Sequence, residues 1–276
     1  MVWLSLRLGR GATRWLVAGI ALYFTLFSPR SRAASRAYLH QVGAATGWRA
    51  TFRHFFAFAS TIHDRIYLLN GRFDLFNIEV HGTEALHATL SSQPGLLLMG
   101  GHLGSFEVLR SVGRGHAQLP VAMLMYADNA RKINTILETI NPSASADIIP
   151  LGQIRSMLEA RDRLEQGTLV GMLADRGLGG DSTRITDFLG RPAAFPLGPW
   201  RVAAMLRRPV FFMTGLYLGG NRYRIHLEPL ADFSAVERGE RENAIAAAVD
   251  RYADRLAHFC RIAPNNWFNF FDFWQS

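Results

Sequence analysis

The sequence predicts an α/β fold: a single domain with a central mixed sheet flanked by helices, plus an N-terminal membrane-associated helix. Short apolar runs bounded by turn residues recur along the chain, and helical spacing resumes after most of them. Alternation of this kind is typical of α/β layers. With 49% of its 276 residues hydrophobic, the chain can bury a full-sized core.

The N-terminal part is basic and apolar at once. Residues 1–53 carry eight arginines and no acid, and because the whole chain is +8, the remainder is neutral overall. A basic arm indicates nucleic acid or an anionic membrane. Residues 15–27 are almost entirely apolar, which favours the membrane, so we expect no nucleic-acid partner.

How residues 15–29 meet the membrane stays open at this stage. Fifteen helical residues reach about 22 Å, short of the roughly 30 Å hydrocarbon core. Flanking arginines that snorkel would allow a span, and an interfacial helix is the main alternative, ahead of a buried core helix or a signal peptide. We expect residues 1–33 to form the anchor and 34–276 the globular domain. Arg30, Arg32 and Arg36 place the following residues on the cytoplasmic side.

The first half of the domain follows from its apolar spacing and its turns. Residues 34–70 read as a helix, because Phe52, Phe55 and Phe56 share one stripe and no proline interrupts. A strand at 78–82 leads into a helix at 83–90, with Thr83 as the expected N-cap. A turn at 94–95 precedes the apolar strand 96–99, and helical spacing resumes at 105–112.

The second half repeats this alternation. The predicted strands are 120–125, 147–150, 168–173, 210–218 and 223–230, and the predicted helices are 131–140, 153–166, 199–207 and 240–262. Residues 175–187 read as a loop rich in glycine and charge, and residues 188–199 as an apolar, turn-rich loop entering a helix.

One strand end is the strongest candidate for chemistry. In open α/β sheets, sites form beyond the carboxyl ends of strands. Here Gly100 and Gly101 end an apolar strand, His102 follows, and Glu107 lies in the first turn of the next helix. A carboxylate on one ring nitrogen fixes the tautomer that lets the other nitrogen take a proton.

The spacing of His102 and Glu107 carries no weight by itself. With nine histidines and 22 acids in the chain, about one such pair is expected by chance, so a structural histidine is the alternative. The strand, the glycines and the helix that follows are what favour catalysis.

Three further segments are weaker candidates. Asp175-Arg176, also at a strand end, offers an arginine for phosphate or an anionic head group, or else a surface ion pair in a solvated loop. The 188–199 segment would line an acyl groove or be an ordinary loop. The aromatic stretch at 266–274 would seal a core edge, which we favour, or lie at a membrane interface.

Taken in order, these blocks resemble the lipid A biosynthesis late acyltransferases, within the broader lysophospholipid acyltransferase superfamily. The first block is the His-x4-acid motif from Gly101 to Glu107, in its glutamate form. The others are Asp175-Arg176, the segment from Phe188 to Gly198, and Arg208-Pro209 entering a strand. Arg176 departs from the glutamine frequent in this branch, and the ending at 267–274 is not typical of it.

The resemblance implies an acyltransferase with His102 as general base and Glu107 as the residue that orients it. The remaining site residues it implies bind substrate: Gly101, Gly104, Ser105, Asp175, Arg176, Phe188, Gly190, Pro196 and Gly198. It also implies an acyl thioester on acyl carrier protein or coenzyme A as co-substrate, with no other cofactor and no metal. Transfer to a membrane lipid is expected at the cytoplasmic face of the inner membrane.

Two rivals stay open from the sequence. An acyl-enzyme would need Ser105 or Cys260 as nucleophile, although Ser105 lacks the G-x-S-x-G elbow. A non-catalytic lipid-binding protein would use the same apolar groove. The acceptor is also open: a lipid A precursor fits best, with an aminoacyl lipid, a lysophospholipid or a polyene alcohol as alternatives.

Overall fold

The computed structural model describes residues 2–112, 119–127, 129–131, 135, 140–141, 148–152, 154–177 and 180–274. Three helices open the chain: α1 (Val2–Phe27), α2 (Pro29–Gln41) and α3 (Trp48–Leu69). The backbone of α1 leaves helical geometry at Gly9. The single helix predicted over 34–70 is wrong, because Gly43, at a positive φ, lies in a break at residues 42–47.

The elements of the sheet region follow in chain order. They are β1 (Asn77–His81), α4 (Thr83–Ser92), β2 (Leu96–Gly100), α5 (Phe106–Val112), β3 (Val121–Tyr126), β4 (Ile148–Leu151), α6 (Ile154–Glu165), β5 (Leu169–Leu173), β6 (Thr183–Phe188), β7 (Arg191–Pro196), α7 (Gly198–Leu206), β8 (Pro209–Tyr217), β9 (Arg222–Asp232) and α8 (Arg241–Ile262). Short 3-10 turns lie at Phe73–Leu75, Arg238–Glu240 and Pro264–Asn266.

Seven strands form one mixed sheet in the order β1-β9-β8-β2-β5-β3-β4. Among the described strands of this sheet, only β8 and β9 pair in the antiparallel direction. Alternate residues of β2 feed two hydrophobic cores, Leu97 into one and Leu96 into the other, as the period of a strand requires. The predicted mixed sheet flanked by helices is therefore confirmed.

The least accurate predictions fall between β5 and α7. Residues 175–199, expected to be loop, contain the antiparallel hairpin β6–β7. Its turn is Leu189-Gly190, both at positive φ, the geometry that matches the twist of a hairpin. Thr83 begins α4, but the N-cap is Gly82. Most of the helix predicted over 131–140 lies outside the described residues.

Helix α1 packs on α3 through small side chains and turns its large ones outward. Its buried residues are Ser5, Thr13, Val17, Ala21 and Thr25. Its exposed residues include Trp15, at 83% exposure, and Phe27. Among the described residues, no helix is both long and apolar enough to cross a membrane. The boundary at residue 33 stays a prediction.

A buried ion pair fastens α1 to the domain. The guanidinium of Arg10 donates to both carboxylate oxygens of Asp64, at 2.8 Å each, and the Tyr223 hydroxyl donates to the same carboxylate at 2.8 Å. Burial alone would raise the pKa of Asp64, but hydrogen bonds from His63, Arg10 and Tyr223 hold it below its ordinary value. One carboxylate thus joins α1, α3 and β9.

Neutralising this carboxylate should destabilise the fold. We expect Asp64→Asn to lower the free energy of unfolding by about 3 kcal/mol, because it leaves Arg10 without a counter-charge in a largely buried site. Glu79→Gln is the matched control, since Glu79 pairs with Arg224 at the surface and should matter little. Urea unfolding compares the two. Equal stability of both variants would contradict the role of Asp64.

Candidate functional site

The register of β2 and β5 brings His102 beside Asp175. These strands are adjacent and parallel, with Gly100 opposite Leu173, so the residues that follow them meet at one edge of the sheet. The Asp175 carboxylate accepts the His102 backbone N–H on Oδ2 at 2.9 Å, and its Oδ1 lies 2.8 Å from Nδ1 of the ring. Because a carboxylate only accepts, Nδ1 carries the proton and Nε2 is the basic nitrogen.

The environment keeps Asp175 ionised. Its side chain is fully buried, which by itself would raise its pKa. The charge and hydrogen bonds of His102, with the charge of Arg176, outweigh burial and hold the pKa of Asp175 well below its ordinary value. The His102 side chain is 36% exposed, so the pair joins a buried anion to an imidazole that solvent and substrate can reach.

A third donor reaches the same carboxylate from the C-terminal segment. The indole Nε1 of Trp267 donates to Asp175 Oδ2 at 3.1 Å. Trp267 and Phe273 are buried, which confirms the core-edge reading of this segment, although Phe271 stays exposed. The link between Trp267 and the site was not foreseen from the sequence, where the segment showed only aromatic content.

Glu107 lies in the first turn of α5 and faces arginines. Its Oε2 is 3.1 Å from Nε of Arg110, and its Oε1 is 3.7 Å from Nε of Arg65 on α3. The family resemblance implies that Glu107 orients His102. The contact of the His102 ring at Nδ1 is with Asp175. A direct role for Glu107 in catalysis is not tested by these contacts and stays a prediction.

The turn after His102 is tightly packed against β8. Gly104 has φ +76°, and a Cβ there would overlap the carbonyl oxygen of Gly215. The N–H of Gly104 donates to Asn266 O at 2.8 Å, and that of Ser105 donates to Gly215 O at 2.8 Å. Both amides are therefore committed to hydrogen bonds within the fold and are not available to stabilise an oxyanion. Gly101, against Asp175 and Tyr252, stays a predicted substrate-binding position.

Arg176 also contacts the C-terminal segment. Its guanidinium donates to Phe268 O at 2.6 Å and lies over the Phe271 ring, 4.9 Å from the centroid. Burial lowers the pKa of Arg176, and the neighbouring Asp175 opposes that change. Binding of an acceptor phosphate by Arg176 stays a prediction.

The predicted acyl-groove residues lie in and around the β6–β7 hairpin. Phe188 is fully buried and contacts Phe195 and Trp267 edge-on. Gly190 lies in the hairpin turn, Pro196 ends β7, and Gly198 begins α7. Phe188 thus joins the hairpin to the aromatic cluster around Trp267, and substrate contact by these four residues stays a prediction.

Neither predicted nucleophile is well placed. Cys260 is fully buried on α8, and burial raises the pKa of its thiol far above the ordinary value. Ser105 is buried as well. A thiol that stays protonated and inaccessible is a poor nucleophile, so the geometry argues against an acyl-enzyme formed on Cys260.

Comparison with known families decides the class of protein. The model of the bacterial lipid A biosynthesis acyltransferase family matches residues 10–276. The chain belongs to this family. It is therefore an acyltransferase, and the resemblance seen in the motifs is confirmed. No curated protein sequence matches the chain.

The sequence identifies His102 as a candidate site residue, but it does not identify Asp175 as the carboxylate that His102 contacts. Asp175 was expected to bind substrate with Arg176, 73 residues after His102. The available signal was that both residues follow apolar strands. Pairing them required the knowledge that β2 and β5 are neighbours, although β3 and β4 intervene in the chain.

A second histidine, His54, forms a hydrogen bond to the backbone of Trp267. The Nε2 of His54, on α3, donates to Trp267 O at 2.8 Å, and its Nδ1 lies 2.9 Å from the Ser35 hydroxyl. Burial lowers the pKa of His54 from its ordinary value of 6.5 to about 4, against a hydrogen bond to Trp267 that raises it. His54 is therefore neutral in the folded acyltransferase.

The neutral state of His54 predicts a pH dependence of stability. The pKa of His54 is lower in the folded than in the unfolded chain. Its contribution to the free energy of unfolding is therefore complete above pH 6.5 and is lost as the pH falls from 6.5 to 4, because the unfolded chain binds the proton in this range. The free energy of unfolding should fall by about 3 kcal/mol over this range. Urea unfolding of wild type and His54→Gln across this range should show a shallower dependence in the variant.

His40→Gln, at an exposed position on α2, serves as the control and should keep the wild-type profile. Identical profiles for wild type and His54→Gln would contradict a buried neutral His54.

Proposed function

We propose that this acyltransferase moves a fatty acyl chain from an acyl carrier protein or coenzyme A thioester to a hydroxyl of a lipid A-type acceptor. The proposal rests chiefly on the His102–Asp175 pair: a half-exposed imidazole with Nε2 basic, held by a buried carboxylate at the carboxyl edge of the sheet. A tautomer fixed in this way is what a general base for a hydroxyl needs.

The reaction proceeds in two steps on these groups. Nε2 of His102 takes the proton of the acceptor hydroxyl as its oxygen attacks the thioester carbonyl. The tetrahedral intermediate then collapses, the C–S bond breaks, and the imidazolium returns the proton to the thiolate that leaves. Asp175 stabilises the transient imidazolium without taking its proton. The products are the acyl ester and the free thiol of the carrier.

This proposal gives the orienting role to Asp175 and differs there from the sequence prediction. A neutral imidazole has one N–H, and that N–H already faces Asp175 Oδ1. Glu107, in the helix that follows the His102 turn, then acts indirectly, by balancing the charges of Arg65 and Arg110.

Three variants separate these roles. We expect His102→Ala to lower kcat about a thousandfold and Asp175→Asn about a hundredfold or more, since the amide no longer selects the tautomer. The loss in Glu107→Gln should be smaller. Asp250→Asn, an exposed carboxylate paired with Arg184, is the control and should match wild type.

The assay follows labelled acyl chains from acyl carrier protein or coenzyme A to a lipid A precursor, with lysophospholipid, aminoacyl lipid and polyene alcohol as competing acceptors. Normal turnover by folded His102→Ala would refute the mechanism. An active Asp175→Asn beside an inactive, folded Glu107→Gln would return the orienting role to Glu107. Lipid binding without transfer from any donor would favour a lipid-binding protein.

We also propose that α1 lies along the cytoplasmic surface of the inner membrane. Its outward side chains are large and apolar, Trp15 and Tyr23 among them. Residues 1–53 contain eight arginines and no acidic residue. An apolar helix face together with basic residues binds anionic lipid surfaces. Because α1 is tied to α3 through Arg10, this placement would hold the catalytic edge at a fixed distance from the lipid.

Membrane binding should depend on the outward face of α1. We expect Trp15→Glu to weaken binding to vesicles of anionic phospholipid about tenfold, because a tryptophan no longer enters the interface. Leu158→Glu, at an exposed apolar position on α6, is the control. Vesicle co-sedimentation measures both. Equal binding by both variants would contradict an interfacial α1.

A further inference from the structure

We infer that residues 266–268, here called the C-terminal strap, position the catalytic pair, with the Trp267 indole as the positioning residue for Asp175. The inference rests on the proposed function of His102 and extends it to a segment in which Trp267 lies 92 residues after Asp175. Three sets of contacts carry it: a backbone ladder, a side-chain clamp and the indole hydrogen bond.

The backbone ladder runs between the strap and the turn that carries His102. Phe268 N–H donates to His102 O at 2.7 Å, and Gly104 N–H donates to Asn266 O at 2.8 Å. Leu103 and Trp267 form the antiparallel bridge between these bonds. The backbone on both sides of Leu103 is therefore held by the strap, which fixes the direction in which the His102 ring leaves the chain.

The side-chain clamp holds the strap itself in place. The Asn266 amide accepts the Tyr217 N–H at 2.7 Å on Oδ1 and donates to Tyr217 O at 3.0 Å through Nδ2. Both groups belong to the last residue of β8, a strand that neighbours β2. His54 adds a bond to Trp267 O, and Arg176 adds one to Phe268 O. The strap is thus anchored by residues of the domain other than the pair that it positions.

The indole sets which oxygen of Asp175 faces the ring. Oδ2 accepts two hydrogen bonds, from His102 N–H and from Trp267 Nε1, while Oδ1 faces Nδ1 of His102. With Oδ2 held from two sides, rotation of the carboxylate about its Cβ–Cγ bond is blocked. Trp267 is fully buried between Tyr38 and Phe188, so the indole cannot turn away without disrupting that packing.

The chain offers a matched control in Trp200. Like Trp267 it is fully buried in the same hydrophobic core, and its Nε1 has no hydrogen-bond partner among the residues that the structure describes. Replacing either tryptophan with phenylalanine removes the same volume. Only the change at 267 removes a donor from Asp175, so the comparison separates positioning from packing.

The test compares Trp267→Phe with Trp200→Phe in the full-length chain. We expect Trp267→Phe to lower kcat about tenfold or more with KM within about twofold, because a catalytic group held loosely spends less time in its productive geometry. The Nδ1 proton resonance of His102 in ¹H NMR, assigned by its absence in His102→Gln, should move or disappear. In Trp200→Phe, kcat and the resonance should stay as in wild type.

A second substitution serves if Trp267→Phe does not fold. Incorporation of β-(3-benzothienyl)alanine at 267 keeps the bicyclic shape and replaces only the N–H with sulphur, and it should reproduce the loss of kcat and the altered resonance. Wild-type kcat and an unchanged resonance in either folded 267 variant would overturn the inference. The resonance is read without substrate, so it tests the strap even if transfer by His102 were refuted.

Discussion

The buried carboxylate of Asp175 is the constraint on which the site depends. An ionised carboxylate without solvent is costly unless its oxygens are satisfied, and here the His102 backbone, the His102 ring and the Trp267 indole supply the donors. Each donor comes from a different part of the chain from Asp175 itself. Satisfying this one anion therefore brings the β2 turn, the β5 turn and the C-terminal strap to a common point.

The sheet explains why that point lies where it does. Strands β2 and β5 are central and parallel, so their carboxyl ends open on the same edge, and β8 on the other side of β2 supplies Gly215 and Tyr217 to hold the turn and the strap. Gly104 and Gly215 allow backbones to approach more closely than any side chain would permit. The imidazole is left partly exposed above a closely packed turn.

Much of the fold could be predicted because burial and pattern agree in it. The strands β2 and β5 are apolar throughout, β8 is apolar apart from Thr214, and α8 keeps helical spacing over its whole length. The β6 strand is hard to predict because Arg184 and Asp187 interrupt its apolar residues and a glycine-rich stretch precedes it. His102 was found from its place after a strand. Asp175 as its partner and Trp267 beside Asp175 could not be found in this way. The order of the strands brings Asp175 to His102, long-range contacts of the C-terminal segment bring Trp267 there, and no local spacing encodes either.

The large apolar side chains of α1 lie on the side away from α3. The apolar residues of this segment predict contact with lipid rather than with the core, and the inward side of α1 is small or polar and fits closely against α3, while Trp15, Tyr23 and Phe27 point outward. The two hydrogen bonds from Arg10 to Asp64 tie α1 to α3. The outward side chains of α1 are then held in a fixed relation to the sheet edge that carries His102, an arrangement that the proposed transfer to a membrane lipid would need.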